Sequence, residues 1–201
     1  MLLKKSIVYP YQKLIAEVYT ISLFIPNIMH PMIIPNGQAG VGKTRILELI
    51  GLIVDPHGSN NDTFLKELPK EEKDRRVSIY SDYLSYFDNE THISVEVMDN
   101  FCRWVTGYSW TGRSLWTDNK PISYSGMRPI GITGINIPIS KSDVLDRAFP
   151  LDMKKPLEIT PKPEIIENIK QLLPMISIII LYLFSIISIC YYTPRQECKL
   201  C

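Results

Sequence analysis

The first part of the chain alternates between apolar residues at helical spacing and short continuous apolar runs. Residues 11–23 carry apolar side chains on one face and predict a leading helix. Residues 32–34 are a continuous apolar run whose shortness predicts a buried strand. Apolar residues then recur at helical spacing up to about residue 53, where Asp-Pro-His-Gly ends the predicted helix with turn residues.

The middle of the chain has weaker patterns. Residues 60–76 are polar and predict a surface helix or loop. Two apolar-rich segments follow at residues 77–80 and 83–87, and residues 95–106 carry the spacing of a helix.

Strand and turn signals return after residue 106. Residues 112–124 predict a β-hairpin with a charged tip, and Pro121 restricts its second strand to an edge. Residues 129–135 predict another strand, and residues 143–149 predict a short helix. Alternating strands and helices of this kind predict an α/β fold, a three-layer sandwich around a mostly parallel sheet.

The end of the chain is unusually apolar. Residues 172–192 contain no charged side chain, and their number is close to the roughly 20 needed to cross a bilayer. Lys170 and Arg195 flank this run without indicating an orientation. Three interpretations stay open: a membrane span through residues 175–192, a buried hydrophobic helix, or a frameshifted end of a longer gene. The predicted division is a helical lead-in (1–30), a core (31–156), and a linker with a hydrophobic C-terminal helix (157–201).

The charge balance and the cysteine content restrict the kinds of partner and site that the chain can have. The chain has 22 basic and 21 acidic residues, so any contact with DNA has to be local. Three of the four cysteines crowd at the end, and Cys198 and Cys201 form a single C-x-x-C without a second pair. This distribution does not predict a disulfide framework or a zinc site, and it favours a reducing, cytoplasmic location.

Residues 37–44, with the sequence GQAGVGKT, fit the phosphate-loop pattern G-x-x-x-x-G-K-[ST] at every fixed position. The loop lies between a predicted strand and a predicted helix, as this pattern requires. Its glycines let backbone N–H groups surround a triphosphate, and the helix N-terminus favours the anion. Lys43 is expected to reach the β- and γ-phosphates, and the Thr44 hydroxyl to bind Mg²⁺. The predicted ATP-binding residues are Gly37, Gln38, Ala39, Gly40, Val41, Gly42, Lys43, Thr44 and the adjoining Arg45.

A phosphate loop needs an acid at the end of a second strand to orient Mg²⁺. Asp88 ends an apolar and aromatic run and is the best candidate, although Asp88-Asn89 also suits an ordinary turn. Hydrolytic enzymes of this kind usually place a glutamate directly after the aspartate. Here Asn89 occupies that position and Glu90 follows. Asparagine can position a water molecule but cannot take its proton, so fast hydrolysis is not assured.

Three further polar residues follow predicted strands or begin a predicted helix. Thr133 and Asn136 lie near the end of one strand, where either could reach a γ-phosphate or simply cap the loop. Arg147 lies near the predicted helix of residues 143–149. In a monomer it would form a surface ion pair, whereas in a ring it could reach the γ-phosphate of a neighbouring subunit.

A series of short motifs occurs in a recognisable order after the phosphate loop: FDN (87–89), CRWVTG (102–107), RSLWTD (113–118), RPI (128–130) and LDR (145–147). This order resembles the helicase-like ATPases of phages, prophages and plasmids, which are often attached to primase modules. Those proteins are related to the superfamily 3 helicases of the AAA+ class. The resemblance spans roughly residues 32–156 and implies a P-loop NTPase fold of AAA+ type.

The resemblance implies roles at the nucleotide site for the matching positions. Asp88 would be the second metal anchor beside Thr44, and Asn89 matches an aspartate–asparagine pair common in the group. Thr133 occupies the position of a sensor asparagine, for which Asn136 is the alternative. Arg147 would be an arginine finger supplied in trans within a homo-oligomeric ring, by analogy a hexamer.

The resemblance also implies a contact with DNA. Related helicases carry a DNA-tracking hairpin between the metal aspartate and the sensor strand, with a basic residue at its tip. Lys120 is the matching candidate here and Arg113 the second, although both also suit ordinary solvated loop charges. A primase or replication-origin protein is the implied partner.

The sequence therefore predicts an ATP- and Mg²⁺-dependent, helicase-like motor core that acts on single-stranded DNA in mobile-element replication. Three alternatives stay open. A P-loop kinase would not respond to nucleic acid. A degenerate nucleotide-binding protein, favoured by Asn89 and Thr133, would bind ATP with little turnover. A membrane-tethered ATPase would use the apolar C-terminal segment for attachment.

Overall fold

A computed structural model of the protein describes residues 9–55, 65–90, 93–113, 121–134, 137, 142–155 and 161–192. The described helices are α1 (Pro10–Ser22), α2 (Lys43–Val54), α3 (Glu72–Ser81), α4 (Val95–Thr106), α5 (Ser142–Leu145) and α6 (Lys162–Tyr192). The described strands are β1 (Met32–Asn36), β2 (Leu65–Lys66), β3 (Ser85–Glu90), β4 (Tyr108–Arg113), β5 (Pro121–Gly126), β6 (Ile130–Gly134) and β7 (Ala148–Asp152).

Five of the strands form one sheet in the order β2-β3-β6-β1-β7, and every described pairing in it is parallel. The chain crosses from β1 to the far edge at β2, returns through β3 and β6, and then passes β1 to form β7. The carboxyl ends of all five strands consequently meet at one edge of the sheet. The protein is thus an α/β fold with a parallel sheet, as the alternation of strand and helix patterns predicted.

The sheet is covered on both faces, and the interior strand β1 packs on both layers because its successive side chains point in opposite directions. Ile33 packs on one side with buried residues of α1 and α2. Met32 and Ile34 pack on the other side with buried residues of α4 and with Val144 of α5. A strand buried on both faces has to be apolar throughout, which explains the continuous run that marked β1 in the sequence.

Local sequence signals account for the best-predicted helix, α4. Its bounds, Val95–Thr106, are those expected from the spacing of apolar residues. Ser94 is the N-cap, and its hydroxyl accepts a hydrogen bond from the backbone N–H of Val97 at 3.3 Å. Met98, Phe101 and Trp104 are almost fully buried and form the face that packs on the sheet. The capping residue and the apolar stripe thus indicate the same helix.

The prediction of a short helix over residues 143–149 is wrong in its second half. Helix α5 ends at Leu145, and Ala148 begins strand β7, which pairs in parallel with β1 along its whole length. The sequence signal was too short to separate a helical turn from a five-residue strand. Pairing with β1 decides the conformation here. Residues 77–80, which were noted only as apolar, belong to α3.

The predicted hairpin is confirmed and is longer than expected. Strands β4 and β5 pair in antiparallel from Tyr108↔Gly126 to Arg113↔Pro121 and form a separate two-stranded sheet. Each strand of a two-stranded sheet is an edge strand, so Pro121 is tolerated there. The hairpin tip, residues 114–120, lies outside the described part of the chain.

The chain divides into two compact units, residues 1–159 and residues 160–201. The first contains the five-stranded sheet with its helices and the hairpin. Within its described part, the second contains the single helix α6, which is long and apolar enough over Pro163–Tyr182 to cross a membrane.

Candidate functional site

The candidate site lies at the carboxyl edge of the sheet, where the phosphate-loop residues connect β1 to α2. The chain leaves β1 towards β2 at one edge of the sheet, and it leaves the adjacent strand β6 towards β7 at the other edge. Ligands of open α/β sheets bind at such a change of direction, outside the carboxyl ends of the strands. The loop predicted from the sequence therefore occupies the position where this fold forms a binding crevice.

Two glycines give the loop its shape. Gly42 is the N-cap of α2 and has a left-handed backbone, with φ of 96°. Gly37 has φ of 146°, and a Cβ atom built on it would lie 2.6 Å from the backbone carbonyl oxygen of Met153. A side chain at Gly37 would thus both strain the backbone and collide with the chain that follows β7.

The first turn of α2 is suited to an anion. No side chain caps the helix at Gly42, and its first turn contains no acidic residue. Its first backbone N–H groups therefore keep their capacity for an external acceptor, and the helix dipole favours negative charge there. The ammonium of Lys43 donates a hydrogen bond to the carbonyl of Gly37 at 2.7 Å, which holds its charge over the loop.

The other predicted loop residues differ in their surroundings. Gln38, Ala39 and Gly40 are exposed, whereas Val41 is buried in the core beneath the loop. Arg45 Nε lies 3.6 Å from a carboxylate oxygen of Glu48. Its Nη1 atom is buried and has no hydrogen-bond partner among the described residues. A buried guanidinium nitrogen of this kind, one residue beyond the loop, suits a negatively charged ligand.

Two side chains from different elements meet at the carboxylate of Asp88, which belongs to β3. The hydroxyl of Thr44, from α2, donates to Asp88 Oδ1 at 2.9 Å. The hydroxyl of Thr133, from β6, donates to the same oxygen. The fold thus brings together the phosphate loop, the predicted metal acid and the predicted sensor position.

A β-bulge directs this carboxylate. Between the pairs Phe87↔Ile132 and Glu90↔Gly134, β3 advances by one residue more than β6. Asp88 lies in this irregular stretch, and bulges re-aim side chains at the ends of strands next to functional sites. The favoured prediction, that Asp88 is more than a turn residue, agrees with this local geometry.

The oxygen atoms at this position suit Mg²⁺. A threonine hydroxyl and one carboxylate are hard oxygen ligands, and Mg²⁺ in phosphate-binding sites typically takes few protein ligands besides phosphates and water. Among the described residues there is no group of three or more His, Cys, Asp or Glu side chains that could hold a metal by themselves. The donor set consequently fits a metal that arrives with a phosphate ligand.

Glu90 has a different environment from Asp88. Its Oε1 accepts a hydrogen bond from the backbone N–H of Leu68 at 3.1 Å, which ties the end of β3 to the segment after β2. In the strand order, β2 lies on the side of β3 away from β1. Burial raises the pKa of the Glu90 carboxyl, the hydrogen bond from Leu68 opposes this, and the carboxylates of Glu67 and Asp88 raise it further.

Strand β7 supports the loop from the other side, which the sequence did not predict. The backbone N–H of Met153 donates to the carbonyl of Asn36 at 2.8 Å, and the Asn36 side chain donates to Asp152 Oδ1 at 3.3 Å. The carboxamide of Gln12, from α1, donates to Asp152 Oδ2 at 3.2 Å and accepts from the Asp152 backbone N–H at 3.2 Å. An acid directly after the apolar Phe149-Pro150-Leu151 was the only sequence signal for this support.

Arg147 lies at the opposite, amino edge of the sheet. It immediately precedes β7, and its backbone carbonyl accepts a hydrogen bond from Met32, the first residue of β1, at 2.7 Å. Its guanidinium forms an ion pair with Asp143, four residues earlier. The structure thus separates Arg147 from the phosphate loop of its own chain by the length of β1, about 13 Å at about 3.3 Å per residue.

Four predicted positions cannot be placed with the others. Lys120 and Asn136 lie outside the described residues. The backbones of Asn89 and Arg113 are described within β3 and β4, but their side chains are not. The roles predicted for these four residues stay predictions.

A cluster of arginine and aromatic side chains links the hairpin to α3. The guanidinium carbon of Arg76 lies 5.1 Å from the ring centre of Trp110, and that of Arg128 lies 5.4 Å from the ring centre of Tyr80. The hydroxyl of Tyr80 also donates to the backbone carbonyl of Tyr108 at 2.7 Å. These contacts hold the base of the hairpin against α3.

Comparison with protein families gives one finding. The family model for the actinomycete integrative conjugative element replication protein matches residues 11–190, which is most of the chain. No curated protein matches the chain significantly.

Proposed function

The chain belongs to the family of actinomycete integrative conjugative element replication proteins, and from this premise we propose that residues 31–156 form an ATP-dependent motor core of helicase-like AAA+ type. The family supports a replication role in a mobile element. The ATP-binding, ATP-hydrolysing and helicase parts of the proposal rest on the geometry of the candidate site and on the resemblance of its motifs.

One observation carries the nucleotide-binding part. The chain folds so that Thr44 of the phosphate loop and Thr133 of the neighbouring strand donate to one oxygen of Asp88. These residues are far apart in sequence, and the phosphate-loop pattern alone does not require their convergence. A strand, β6, which carries the predicted sensor position Thr133, lies between the strand of the loop and the strand of the acid.

The chemistry proposed for the site is hydrolysis of the terminal phosphoryl group of ATP by water. The backbone N–H groups of the loop and of the first turn of α2 bind the phosphates, and Lys43 neutralises charge on the β- and γ-phosphates. Thr44 and Asp88 would hold Mg²⁺, which supplies charge stabilisation between the phosphates. Asn89 orients the attacking water but cannot accept its proton, so slow hydrolysis by an isolated chain is expected.

Thr133 is proposed as a positioning residue. Its hydroxyl donates to Asp88 Oδ1, the oxygen that also accepts from Thr44, so it restrains the orientation of the carboxylate. A threonine side chain is shorter than the asparagine usual at a sensor position. Asn136 therefore stays the alternative for direct contact with a γ-phosphate. Replacing Thr133 by Val keeps the shape and removes only the hydroxyl. This change is expected to weaken Mg²⁺-dependent nucleotide binding rather than the fold.

Arg147 is proposed to act in trans. The position of Arg147 at the amino edge of the sheet excludes contact with the γ-phosphate of its own chain. A neighbouring subunit in a ring would bring this edge to the loop of the next subunit. The guanidinium would then stabilise charge in the transition state. A homo-oligomeric ring, with a hexamer as the analogous state, is therefore part of the proposal.

The DNA contact is assigned to the hairpin. Its strand β4 is held to α3 by the Arg76–Trp110 contact and by the hydrogen bond from Tyr80 to Tyr108, and Arg128, which follows β5, packs on Tyr80. These contacts give the hairpin a fixed base. Arg113 ends the first strand and Lys120 immediately precedes the second, so both flank the tip. A basic hairpin tip would contact the backbone of single-stranded DNA, with a salt dependence set by the number of phosphates neutralised.

The first test is the rate of ATP hydrolysis by the full chain with and without single-stranded DNA, with Lys43→Ala as the blank. A rate that requires Lys43 and rises with DNA supports the motor. ATP binding without turnover and without a response to DNA contradicts it and favours a nucleotide-binding switch. Phosphate transfer to a small molecule, unaffected by DNA, would favour a P-loop kinase instead.

A further inference from the structure

We propose that residues 172–192 of α6 span a lipid bilayer. The first observation is a match of length and charge. The run contains no charged residue, and at about 1.5 Å per residue it is about 31 Å long. The hydrocarbon core of a bilayer is about 30 Å thick. The charged residues of α6 precede the run, and Lys170 is the last of them.

The second observation is which side chains α6 exposes. Leu172, Met175, Ile178, Leu181 and Tyr182 are all exposed, Ile178 to 66% and Leu181 to 69%. At about 100° per residue, these positions extend over about half of the helix circumference. A surface helix of a water-soluble domain exposes polar side chains on such a wide sector, and a helix that is apolar on all sides is either buried or within a membrane.

Two kinds of soluble helix pass the same test of length and composition, and neither fits α6. A core helix is mostly buried, whereas only 11% of the apolar window within Pro163–Tyr182, a stretch of α6 with described side chains, is buried. A helix that forms a seam with a second copy needs one narrow apolar stripe, such as Leu172, Met175, Ile179 and Tyr182. Ile178 and Leu181 lie outside that stripe and are at least as exposed as its members.

The third observation concerns polar groups within the run. The hydroxyl of Ser177 donates to the backbone carbonyl of Leu173 at 2.9 Å, and that of Ser185 donates to the carbonyl of Tyr182 at 2.7 Å. Both are satisfied inside the helix without water, as a hydrocarbon environment demands. Pro174, which lacks an N–H, leaves the carbonyl of Lys170 without its helical donor. That carbonyl lies just outside the uncharged run, where headgroup water can reach it.

Helix α1 shows that exposed apolar residues alone do not identify a membrane span. Helix α1 also exposes apolar side chains, including Leu14 at 62%. However, its opposite face, with Ala16 and Tyr19, is buried in the core of the first unit. α1 is therefore a one-sided helix of a water-soluble unit, and Leu14 provides a matched control for an exposed residue of α6.

The test uses the full chain and vesicles of uncharged phosphatidylcholine, so that attraction between charges does not contribute. The wild-type chain is expected to float with the vesicles and to remain with them after high salt and alkaline carbonate. Ile178→Arg combined with Leu181→Arg should reduce the floated fraction at least about 10-fold, since arginine near the centre of a span is strongly disfavoured. Leu14→Arg should float like the wild type.

Three results would overturn the proposal. The wild-type chain could stay at the bottom of the gradient, either soluble or as an aggregate that never enters lipid, as a frameshifted end would. Alkaline carbonate could release it, which would indicate a helix lying on the membrane surface. Leu14→Arg could abolish flotation as completely as the α6 variant, which would assign membrane binding to α1. None of these readouts involves ATP, so they are independent of the proposed motor.

Discussion

The two edges of the five-stranded sheet carry different halves of the proposed catalytic machinery. The carboxyl edge holds the phosphate loop, with Asp88 accepting hydrogen bonds from Thr44 and Thr133. The amino edge holds Arg147, which is paired with Asp143 and bonded through its backbone to the start of β1. In the proposed function, the first edge binds the nucleotide by itself. The second edge, supplied by another subunit, would complete the charge stabilisation needed for turnover.

The largest expected effect tests this division directly. Arg147→Ala should lower the rate of ATP hydrolysis by about 10³-fold, the usual contribution of an arginine finger, while leaving nucleotide affinity unchanged. Single-turnover hydrolysis and equilibrium binding of a fluorescent ATP analogue measure the two quantities. The matched control is Asp143→Ala, which removes the same ion pair but keeps the arginine. An equal loss of hydrolysis rate in both variants would mean that the loss comes from the broken ion pair and not from the missing guanidinium.

Mixing two inactive variants tests whether the two edges that complete one site come from different subunits. In a ring of Lys43→Ala and Arg147→Ala chains, some sites combine an intact loop from one chain with an intact Arg147 from the next. Hydrolysis should therefore recover partly in the mixture, although each variant alone is inactive. No recovery, under conditions where the chains are shown to co-assemble, would contradict the action of Arg147 in trans.

The second prediction concerns the metal acid at the carboxyl edge. Asp88→Asn keeps an acceptor for both threonines but removes the charge that would hold Mg²⁺. Hydrolysis should fall about 100-fold, which corresponds to about 2.7 kcal/mol of transition-state stabilisation. Asp152→Asn at the same edge is the control, because Asp152 bonds Asn36 and Gln12 rather than the loop hydroxyls. Similar losses in both variants would assign Asp88 only a general electrostatic role.

The third prediction tests the support of the loop by β7. Gly37→Ala should destabilise the fold by about 2 kcal/mol, since its Cβ would meet the carbonyl of Met153 and its backbone would be strained. Gly40→Ala shares a positive φ but meets no atom within 4 Å, so it should cost about 1 kcal/mol. Denaturant unfolding of both variants measures the difference. Equal destabilisation would show that Met153 does not constrain the loop.

The smallest expected effect concerns Glu90. Its pKa is raised above the ordinary 4.5, so the folded state holds its proton more tightly than the unfolded state. The contribution of Glu90 to stability should therefore decrease as the pH rises from about 4 to about 7. Glu90→Gln keeps the acceptor for Leu68 and should remove this decrease, a gain of less than about 0.5 kcal/mol at neutral pH. The exposed Glu96→Gln is the control in denaturant unfolding at each pH. An unchanged pH profile would contradict the prediction.

Sequence patterns predicted an element correctly where all the residues that determine its structure lie in one short segment. The loop motif has its fixed residues within eight positions, and α4 combines its cap at Ser94 with its own apolar stripe. The hairpin was found because polar turn residues lie between two β-prone segments. Strand β7 was missed because its five residues, including Pro150, have no strong local preference. Its conformation comes from pairing with β1, which is distant in sequence.

By itself, the sequence determined that the chain has a phosphate-loop pattern between a strand and a helix, an apolar C-terminal segment, and the motifs that suggested a mobile-element replication protein. Only the tertiary structure decided which side chains meet. It placed Thr44 and Thr133 on Asp88, tied Gln12 of α1 to Asp152 beside the loop, and separated Arg147 from its own loop by the length of β1. The physical reason is that motifs and periodicity depend on neighbours along the chain, whereas strand order and register fix distances between residues that the sequence keeps far apart.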